Sequence, residues 1–367
     1  MCGLYIHIPF CISKCHYCDF YSLVAAPAVV DRYVDALLAE ADSYGGGSFA
    51  TLYIGGGTPS LLGPASLEKL VNGLSRRFDL GHLQEASIEV NPESATRDFL
   101  QAAYSLGIRR LSIGAQSLND EELRKAGRAH SRQQVLDAID TASRSGFENI
   151  SADVMIGLPG QTAHSLAGTL NILTGAGIGH VSAYCLSIEE GTAFYRSPPP
   201  DLPGEDDQAG LFQTAVDMLA AHGLAHYEIS NFALPGRQCL HNLNYWRGGD
   251  YTGLGPAAAS HGGGKRYRNA PCLEKYLDDP LSVREGEERL DGHHKAGEEA
   301  ILRLRLLEEG LDIKEMAVRY GQDPVTSLEA RLDRLVRRKM LLRDGHIFRL
   351  PPGGVLTSNQ VFIDVIA

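Results

Sequence analysis

Strand-like and helix-like segments alternate regularly between residue 4 and about residue 187, and this alternation leaves few folds open to the chain. The predicted strands are LYIHIPF (4–10), TLYIGG (51–56), ASIEVN (86–91), RRLSIGAQS (109–117), ISADVMIG (150–157) and HVSAYCLS (180–187). The helical patterns between them cover 30–44, 64–78, 96–106, 133–145 and 163–174, and the helix C-caps are expected at Gly107, Gly146 and Gly177. Strand–helix units repeated every 30 to 40 residues or so predict a parallel sheet with right-handed crossovers.

Six such units are too few to close an eight-stranded barrel. The predicted fold class is therefore α/β, a partial (β/α)6 TIM-like barrel, with a doubly wound sheet as the alternative. We expect three domains: a barrel over 1–195, an accessory region over 196–290 and a helical C-terminal domain over 291–367. The last one ends in a hairpin and a helix, which makes it resemble a winged-helix module.

Composition narrows the function classes. The formal charge of −11 disfavours nucleic acid as a general partner, so the winged-helix-like region is interpreted as a packing or protein-contact module. No apolar run approaches the roughly 18–20 residues that span a bilayer, and charged or polar residues begin by His7. The sequence therefore predicts a cytosolic protein.

Seven cysteines form an odd count in a chain without a secretion signal, which argues against a disulfide framework. Three of them, Cys11, Cys15 and Cys18, form a C-x3-C-x2-C cluster directly after the first strand. Thiolates on a compact loop suit iron–sulfur ligation, and three ligands leave one iron of a [4Fe–4S] cube open for a non-protein ligand. The alternatives are a zinc knuckle, for which His16 is awkwardly spaced, or a chance cluster. Three others, at positions 2, 185 and 272, are interpreted as structural.

Further polar and flexible residues fall at the carboxyl ends of successive predicted strands. The run Gly55-Gly56-Gly57-Thr58-Pro59 ends the second strand, where consecutive glycines permit a close approach to a ligand. The remaining candidates lie on or just after the next three strands: Glu89, Gln116, Arg128 and Asp153. Parallel strands bring these ends to one mouth, where barrel active sites lie. Taken singly, each carboxylate could instead cap a helix or pair with a lysine.

These motifs together resemble the radical S-adenosylmethionine superfamily. More narrowly, YIHIPFCISKCHYCDF, LYIGGGTPSLL, IEVNPES, LSIGAQS and IGLPGQT resemble the oxygen-independent coproporphyrinogen III oxidase-like group, and the likeness runs from residue 4 to the C-terminus. The resemblance implies that S-adenosylmethionine binds the open iron through its amino and carboxylate groups. It also implies that the reduced cluster cleaves this cofactor to a 5′-deoxyadenosyl radical.

The resemblance also implies roles for individual positions. Tyr5 and Tyr17 would flank the cluster and the bound nucleoside. The methionine end would meet Gly56, Gly57 and Thr58, and polar atoms of S-adenosylmethionine would meet Glu89. Three residues match positions that contact a second S-adenosylmethionine in the decarboxylating enzyme of the group: Gln116, Arg128 and Asp153. Whether a second molecule binds here is left open.

The group contains a decarboxylase and a heme-carrier branch, and three features favour the carrier. Phe20 stands where the decarboxylase has a fourth cysteine, and only ten residues precede Cys11 where the enzyme has a long extension. The run His241-Asn242-Leu243-Asn244-Tyr245-Trp246 resembles the HNxxYW motif of HemW-type heme chaperones. Imidazole is a common axial ligand of heme iron, and the two aromatic rings could face a porphyrin. A packed structural histidine is the alternative for His241, and Cys239 and His261 are rival ligands.

The sequence thus predicts a heme chaperone that delivers heme to acceptor hemoproteins, namely membrane respiratory enzymes, on a [4Fe–4S] and S-adenosylmethionine scaffold. The alternatives are an oxidative decarboxylase of coproporphyrinogen III and a radical enzyme with an unrelated substrate. Enzymatic turnover, a homodimer and a peripheral association with the inner face of the membrane are left open.

Overall fold

The computed structural model describes residues 2–24 and 27–366. All six predicted strands are present and pair in parallel, each with the next along the chain. Their bounds are β1 (Cys2–Ile8), β2 (Thr51–Gly56), β3 (Glu85–Val90), β4 (Arg110–Gln116), β5 (Asn149–Ile156) and β6 (His180–Cys185). Because their order in the sheet follows their order in the chain, the doubly wound alternative, in which strand order reverses, is wrong.

The five predicted helices are also present, and a short helix, α4, was not predicted. The helices of this half are α1 (Pro27–Asp42), α2 (Gly63–Arg77), α3 (Arg97–Ser105), α4 (Asp120–Lys125), α5 (Arg132–Arg144) and α6 (Ala163–Gly175). The glycines expected at the C-caps, Gly107, Gly146 and Gly177, all take positive φ. This is the left-handed backbone conformation that commonly ends an α-helix.

The accessory region extends the same sheet at both edges. Its elements are α7 (Ala193–Arg196), α8 (Glu205–Ala221), β7 (Ala225–Glu228), β8 (Asn231–Ala233), α9 (Leu240–Trp246), β9 (Asp250–Leu254), β10 (Ala259–Gly262), β11 (Lys265–Asn269), α10 (Leu273–Asp278) and β12 (Arg284–Arg289). Strand β9 pairs in parallel with β1, while β8 and β7 continue the sheet beyond β6 in antiparallel pairing. Over the described residues, no strand pairing joins β12 to β7, so the sheet is an open partial barrel as predicted.

The C-terminal region has its own apolar core and a separate small sheet. Its elements are α11 (Gly292–Leu304), β13 (Leu311–Asp312), α12 (Ile313–Tyr320), α13 (Gln322–Arg337), β14 (Leu342–Asp344), β15 (Ile347–Arg349) and α14 (Ser358–Ile366). Helices α11 to α13 precede a β14–β15 hairpin, β13 pairs with β15, and α14 follows, in keeping with the predicted winged-helix likeness. The division at 195/196 and 290/291 stays a prediction.

Period-two alternation in the strands positions the site. In β1, Leu4, Ile6 and Ile8 have no exposed surface and pack in the main core, while Tyr5 and His7 point to the other, concave face. The concave face therefore carries the polar residues of the sheet. Within 2–24 and 27–366, no helix is both long and apolar enough to cross a bilayer.

Candidate functional site

The loop after β1 brings the three clustered cysteines to the carboxyl end of the barrel. All three thiols are free and line one cleft. The loop is held at both sides by backbone hydrogen bonds, since the Cys11 amide donates to the Leu23 carbonyl over 2.9 Å and the His16 amide to the Ala126 carbonyl over 3.1 Å. The loop is thus tied to the segment that follows α4.

Hydrogen-bond donors from other elements reach two of the three sulfur atoms. Thr58 Oγ1 lies 3.7 Å from Cys11 Sγ, and Arg128 Nη1 lies 3.2 Å from Cys15 Sγ. Such donors stabilise thiolates. Burial raises the pKa of Cys11 and raises that of Cys18 to about 11, so ligation would release protons from these thiols.

The donor set fits an iron–sulfur cube better than a single metal ion. Among the described residues, no group of three or more His, Cys, Asp or Glu side chains is gathered tightly enough to hold one ion. A [4Fe–4S] cube takes each thiolate on a different iron, so its ligands stand further apart. Three free thiols stand around one cleft, and two of them have hydrogen-bond donors. This arrangement suits the ligand set of a [4Fe–4S] cube.

The glycine-rich turn after β2 packs directly against the cluster loop. The Gly57 amide donates to the Ile8 carbonyl over 2.7 Å. A Cβ atom at this position would lie 2.6 Å from the Phe10 carbonyl oxygen and 3.1 Å from Cys11 Sγ. Gly56 takes a φ of 112°, and a Cβ there would lie 2.6 Å from the His7 ring. Both positions therefore require glycine.

Asn91, which the sequence analysis did not single out, connects the two sulfur-contacting residues. Its Nδ2 donates to Thr58 Oγ1 over 2.8 Å, and its Oδ1 accepts from Arg128 Nη2 over 2.8 Å. Arg128 Nη2 also donates to the Gly114 carbonyl. The position directly after β3, in the run EVNPES, was the signal that could have identified it.

Two carboxylates form the floor of the cleft. Glu89 accepts from the Tyr53 hydroxyl over 2.6 Å and from the Gly56 amide over 3.0 Å. Burial, with a smaller contribution from the charge of Asp153, raises the pKa of Glu89 to about 7. Asp153 accepts from Ser112 over 3.0 Å, and burial raises its pKa as well.

The cleft has a volume of about 380 Å³ and gathers most of the predicted site residues. The predicted residues in its lining are Cys11, Cys15, Tyr17, Cys18, Gly56, Gly57, Glu89, Gln116, Arg128 and Asp153. Gln116 ends β4 with a φ of 62°, which is unusual for a residue other than glycine. Tyr5 and Thr58 lie outside the lining, and the Tyr5 hydroxyl shares a hydrogen bond with His7 Nδ1 over 3.0 Å. Binding of S-adenosylmethionine by these residues stays a prediction.

The end of β6 and the segment that leaves it form a second wall of the cleft, which was not predicted from the sequence. Tyr184 and Cys185, the last two residues of β6, and Glu189 line this wall. Cys185 is exposed in the cleft, which does not support the structural role expected for it. At the mouth, Phe20 is 65% exposed. Phe20 thus places a phenyl ring at the rim of the cleft.

The HNxxYW motif lies elsewhere, on α9 at the amino ends of the strands. The His241 ring is 1% exposed and stacks on Tyr53 with 5.1 Å between ring centres. Its Nδ1 shares a hydrogen bond with Thr51 Oγ1 over 2.8 Å, and its Nε2 shares one with the Tyr245 hydroxyl over 2.9 Å. Trp246 lies under the Arg305 guanidinium, 4.2 Å from ring centre to Cζ.

His241 is therefore a packed residue, and both of its ring nitrogens are engaged in hydrogen bonds. Ligation of heme iron by His241 would break one of the two hydrogen bonds, so the geometry does not favour that role, which stays a prediction. The same holds for the porphyrin contacts of Tyr245 and Trp246. Of the rivals, Cys239 is 2% exposed beside Glu85, and His261 lies 3.7 Å from Asp250.

Comparison with known sequences and structures agrees with this architecture. The profile of the radical SAM superfamily matches residues 5–173, and that of the HemN C-terminal domain matches 290–357. The solved structure of the coproporphyrinogen III oxidase HemN from Escherichia coli superposes with a TM-score of 0.87 at 23% identity. The match covers 100% of this chain and 90% of that one, which establishes a shared fold. The superfamily implies a [4Fe–4S] cluster and S-adenosylmethionine.

Curated relatives identify the family to which this chain belongs. The heme chaperone HemW of Lactococcus lactis is 33% identical over 98% of this chain and 95% of its own length. That of Bacillus subtilis is 34% identical over 99% and 98%. That of Escherichia coli is 41% identical over 70% of this chain and 69% of its own. The first two of these relatives are more than 30% identical and cover nearly the whole length of both sequences. This chain therefore belongs to the HemW heme chaperone family, on a radical SAM scaffold.

Proposed function

We propose that this chain binds heme and delivers it to acceptor apoproteins, specifically respiratory enzymes at the membrane. The observation that carries the proposal is similarity over almost the whole chain to relatives named as heme chaperones. The cleft adds a second argument, since Phe20, with its ring exposed to solvent, stands where the resemblance implies a fourth cysteine in the decarboxylase. We place the protein in the cytosol, with a peripheral contact to the inner face of the membrane during delivery.

In this proposal the [4Fe–4S] cluster is held by Cys11, Cys15 and Cys18. When bound, the cluster supplies an open iron for S-adenosylmethionine and an electron for its cleavage. The chain's own residues do the positioning. Thr58 and Arg128 donate to two of the sulfur atoms, Asn91 holds both donors in place, and Glu89 presents a carboxylate at the floor.

Oxidative decarboxylation of coproporphyrinogen III is the second candidate. It is favoured by the fold shared with coproporphyrinogen III oxidase and by the polar cleft, which retains Glu89, Gln116, Arg128 and Asp153. Under the chaperone proposal the same residues hold the cofactor without turning over a porphyrinogen. Productive cleavage of S-adenosylmethionine is not required for heme transfer.

One anaerobic experiment separates the two candidates. The reconstituted protein is given coproporphyrinogen III, S-adenosylmethionine and a reductant in one sample, and heme in another. We expect a Soret band with heme, and no protoporphyrinogen from coproporphyrinogen III. Substrate-dependent 5′-deoxyadenosine together with protoporphyrinogen would overturn the chaperone proposal in favour of the decarboxylase.

The cluster assignment has its own test. Iron and sulfide are measured in wild type and in Cys15→Ser after identical anaerobic reconstitution, with Cys272→Ser, a free cysteine outside the cleft lining, as matched control. We expect loss of the [4Fe–4S] complement in Cys15→Ser alone. A full complement in that variant would remove Cys15 from the ligand set.

A further inference from the structure

Four buried polar atoms without a hydrogen-bond partner belong to one group of neighbouring side chains, between α9, the β7–β8 turn and the end of α11. Two are acceptors, Glu228 Oε2 and Asn231 Oδ1, and two are donors, Arg305 Nε and Trp246 Nε1. Glu228 has no exposed surface and Asn231 is 2% exposed. Across residues 2–24 and 27–366, no protein group satisfies these atoms. Buried polar atoms are normally satisfied, so water or a bound ligand is expected to serve them.

The four side chains form a continuous chain of contacts. Asn231 Nδ2 donates to Glu228 Oε1, and Glu228 Oε2 lies 3.9 Å from Arg305 Nη2, which is too far for a hydrogen bond. The guanidinium lies over the Trp246 ring, with Cζ 4.2 Å from the ring centre. A guanidinium directs its N–H groups outward in its own plane, so its contact with the indole face does not occupy them.

The backbone holds Arg305 at this place. Arg305 directly follows α11, and the next two residues are tied to β7. Leu306 forms a β-bridge with Glu228, and the Leu307 amide donates to the Tyr227 carbonyl over 3.0 Å. A ligand that binds the guanidinium therefore meets a side chain whose backbone is already fixed, which lowers the entropic cost of binding.

Glu228 compensates the charge of Arg305 only in part. Burial lowers the pKa of the guanidinium more than Glu228 raises it, and burial raises the pKa of Glu228 more than Arg305 lowers it. A largely buried cation with an incomplete counter-charge is stabilised by a further anion. The Arg305 side chain is 25% exposed, so a ligand from solvent can reach it.

The chemistry of the two donors favours a carboxylate. The planar fork of a guanidinium matches the two oxygens of a carboxylate, and an indole N–H supplies one more donor. The indole ring beside the fork adds a flat apolar surface that suits an aromatic ligand. Heme carries both parts, a planar macrocycle and propionate groups at its edge.

We propose that Arg305 binds a propionate of heme, with Trp246 beside it as the neighbouring donor. The inference rests on the proposed heme-carrier function and adds to it a residue of the C-terminal region. It is independent of which side chain ligates the iron. Arg305 lies within 290–357, the range that the profile of the HemN C-terminal domain matches, so this region takes part in holding the cargo.

The test compares heme with its dimethyl ester, in which both propionates are neutral. Both ligands are titrated anaerobically, in the same detergent, into the full-length, cluster-containing protein and into Arg305→Gln and Arg305→Lys. Arg338→Gln is the matched control, because its guanidinium is exposed and pairs with Asp364 in the same region. Circular dichroism and iron content verify that each variant is folded and loaded. If Arg305→Gln does not fold, a double variant that adds Glu228→Gln removes both charges of the pair and takes its place.

We expect wild type and Arg338→Gln to bind heme about tenfold or more tightly than the ester, because the ester loses hydrogen bonds between charged groups. Arg305→Gln should bind the two ligands with nearly equal affinity. Arg305→Lys keeps the charge but not the fork, so it should show an intermediate preference for heme.

A preference for heme in Arg305→Gln as large as in wild type would show that Arg305 binds no propionate and that water alone serves the unpartnered atoms. Equal binding of both ligands by wild type would show the same. In either case the proposed function stands. If wild type binds neither ligand, the proposed function fails and this inference fails with it.

Discussion

Glu89 shows how one side chain serves both fold and site. It ties the glycine-rich turn to the floor of the cleft through the Gly56 amide, and its other oxygen accepts from Tyr53. The Tyr53 ring in turn stacks on His241, so a single tyrosine separates the cofactor cleft from the HNxxYW motif. Glu89 is therefore linked through one tyrosine ring to residues at both ends of the barrel.

The first prediction concerns pH. Burial raises the pKa of Glu89 from 4.5 to about 7 in the folded chain. Between these values the folded state keeps a proton that the unfolded state releases, so the free energy of unfolding should fall as pH rises from about 4.5 to about 7. We expect Glu89 to contribute a decrease of about 1–3 kcal/mol, which Glu89→Gln should abolish. Thermal midpoints of both proteins across this range measure it, and parallel pH profiles would contradict it.

The second prediction concerns Gly57. A methyl group there would press on the Phe10 carbonyl and on Cys11 Sγ, so Gly57→Ala should cost about 1–3 kcal/mol of stability and lower the iron content after reconstitution. Gly168→Ala on α6 is the matched control, because a Cβ there meets nothing within 4 Å. Equal iron content in the two variants would show that the close approach is not needed.

At the scale of elements, α9 closes the amino end of the barrel. A carboxylate from β3 holds its first turn: Glu85 accepts from the Leu240 and His241 amides, each over 3.1 Å. Negative charge at a helix N-terminus is stabilising, and these amides have no intrahelical partner. The start of the HNxxYW motif is thus fixed to the sheet twice, by the Glu85 cap on the Leu240 and His241 amides and by the His241 ring against Thr51 and Tyr53.

This cap gives the third prediction. Glu85→Ala should destabilise the protein by about 2 kcal/mol or more, because two amides and the nearby Arg110 lose their anionic partner. Glu68→Ala, on the exposed side of α2, should change stability by less than about 0.5 kcal/mol. Chemical unfolding of both variants measures the difference. A loss no larger in Glu85→Ala than in Glu68→Ala would mean that the cap does not hold α9.

The local sequence pattern predicted the β/α units and the cleft residues, because strand and helix periodicity and the position of a strand end can both be recognised within a few neighbouring residues. The strands alternate apolar and polar side chains, and Glu89, Gln116 and Asp153 follow from strand ends in a parallel sheet. The place of α9 could not be predicted in this way. It depends on β9 inserting beside β1, a pairing of residues about 250 positions apart in the sequence, which leaves no local signal.

At the scale of the whole molecule, the fold presents two separate concave surfaces. The cluster cleft opens at the carboxyl ends of the strands, whereas a second, apolar cavity lies between α8 and the C-terminal region. The wall of the cleft at the end of β6, with Tyr184 and Cys185, and this second cavity arise only from tertiary packing, so the sequence did not reveal them.

Delivery of heme to an acceptor is the function proposed for this chain, and the transfer itself can be measured. Protein loaded with one equivalent of heme is mixed with membrane vesicles that contain a heme-depleted respiratory enzyme, and heme in the pelleted membranes is followed with time. We expect heme to leave the protein and to restore enzyme activity faster than an equal amount of free heme does. Heme that stays on the protein, or that restores activity no faster than free heme, would contradict it.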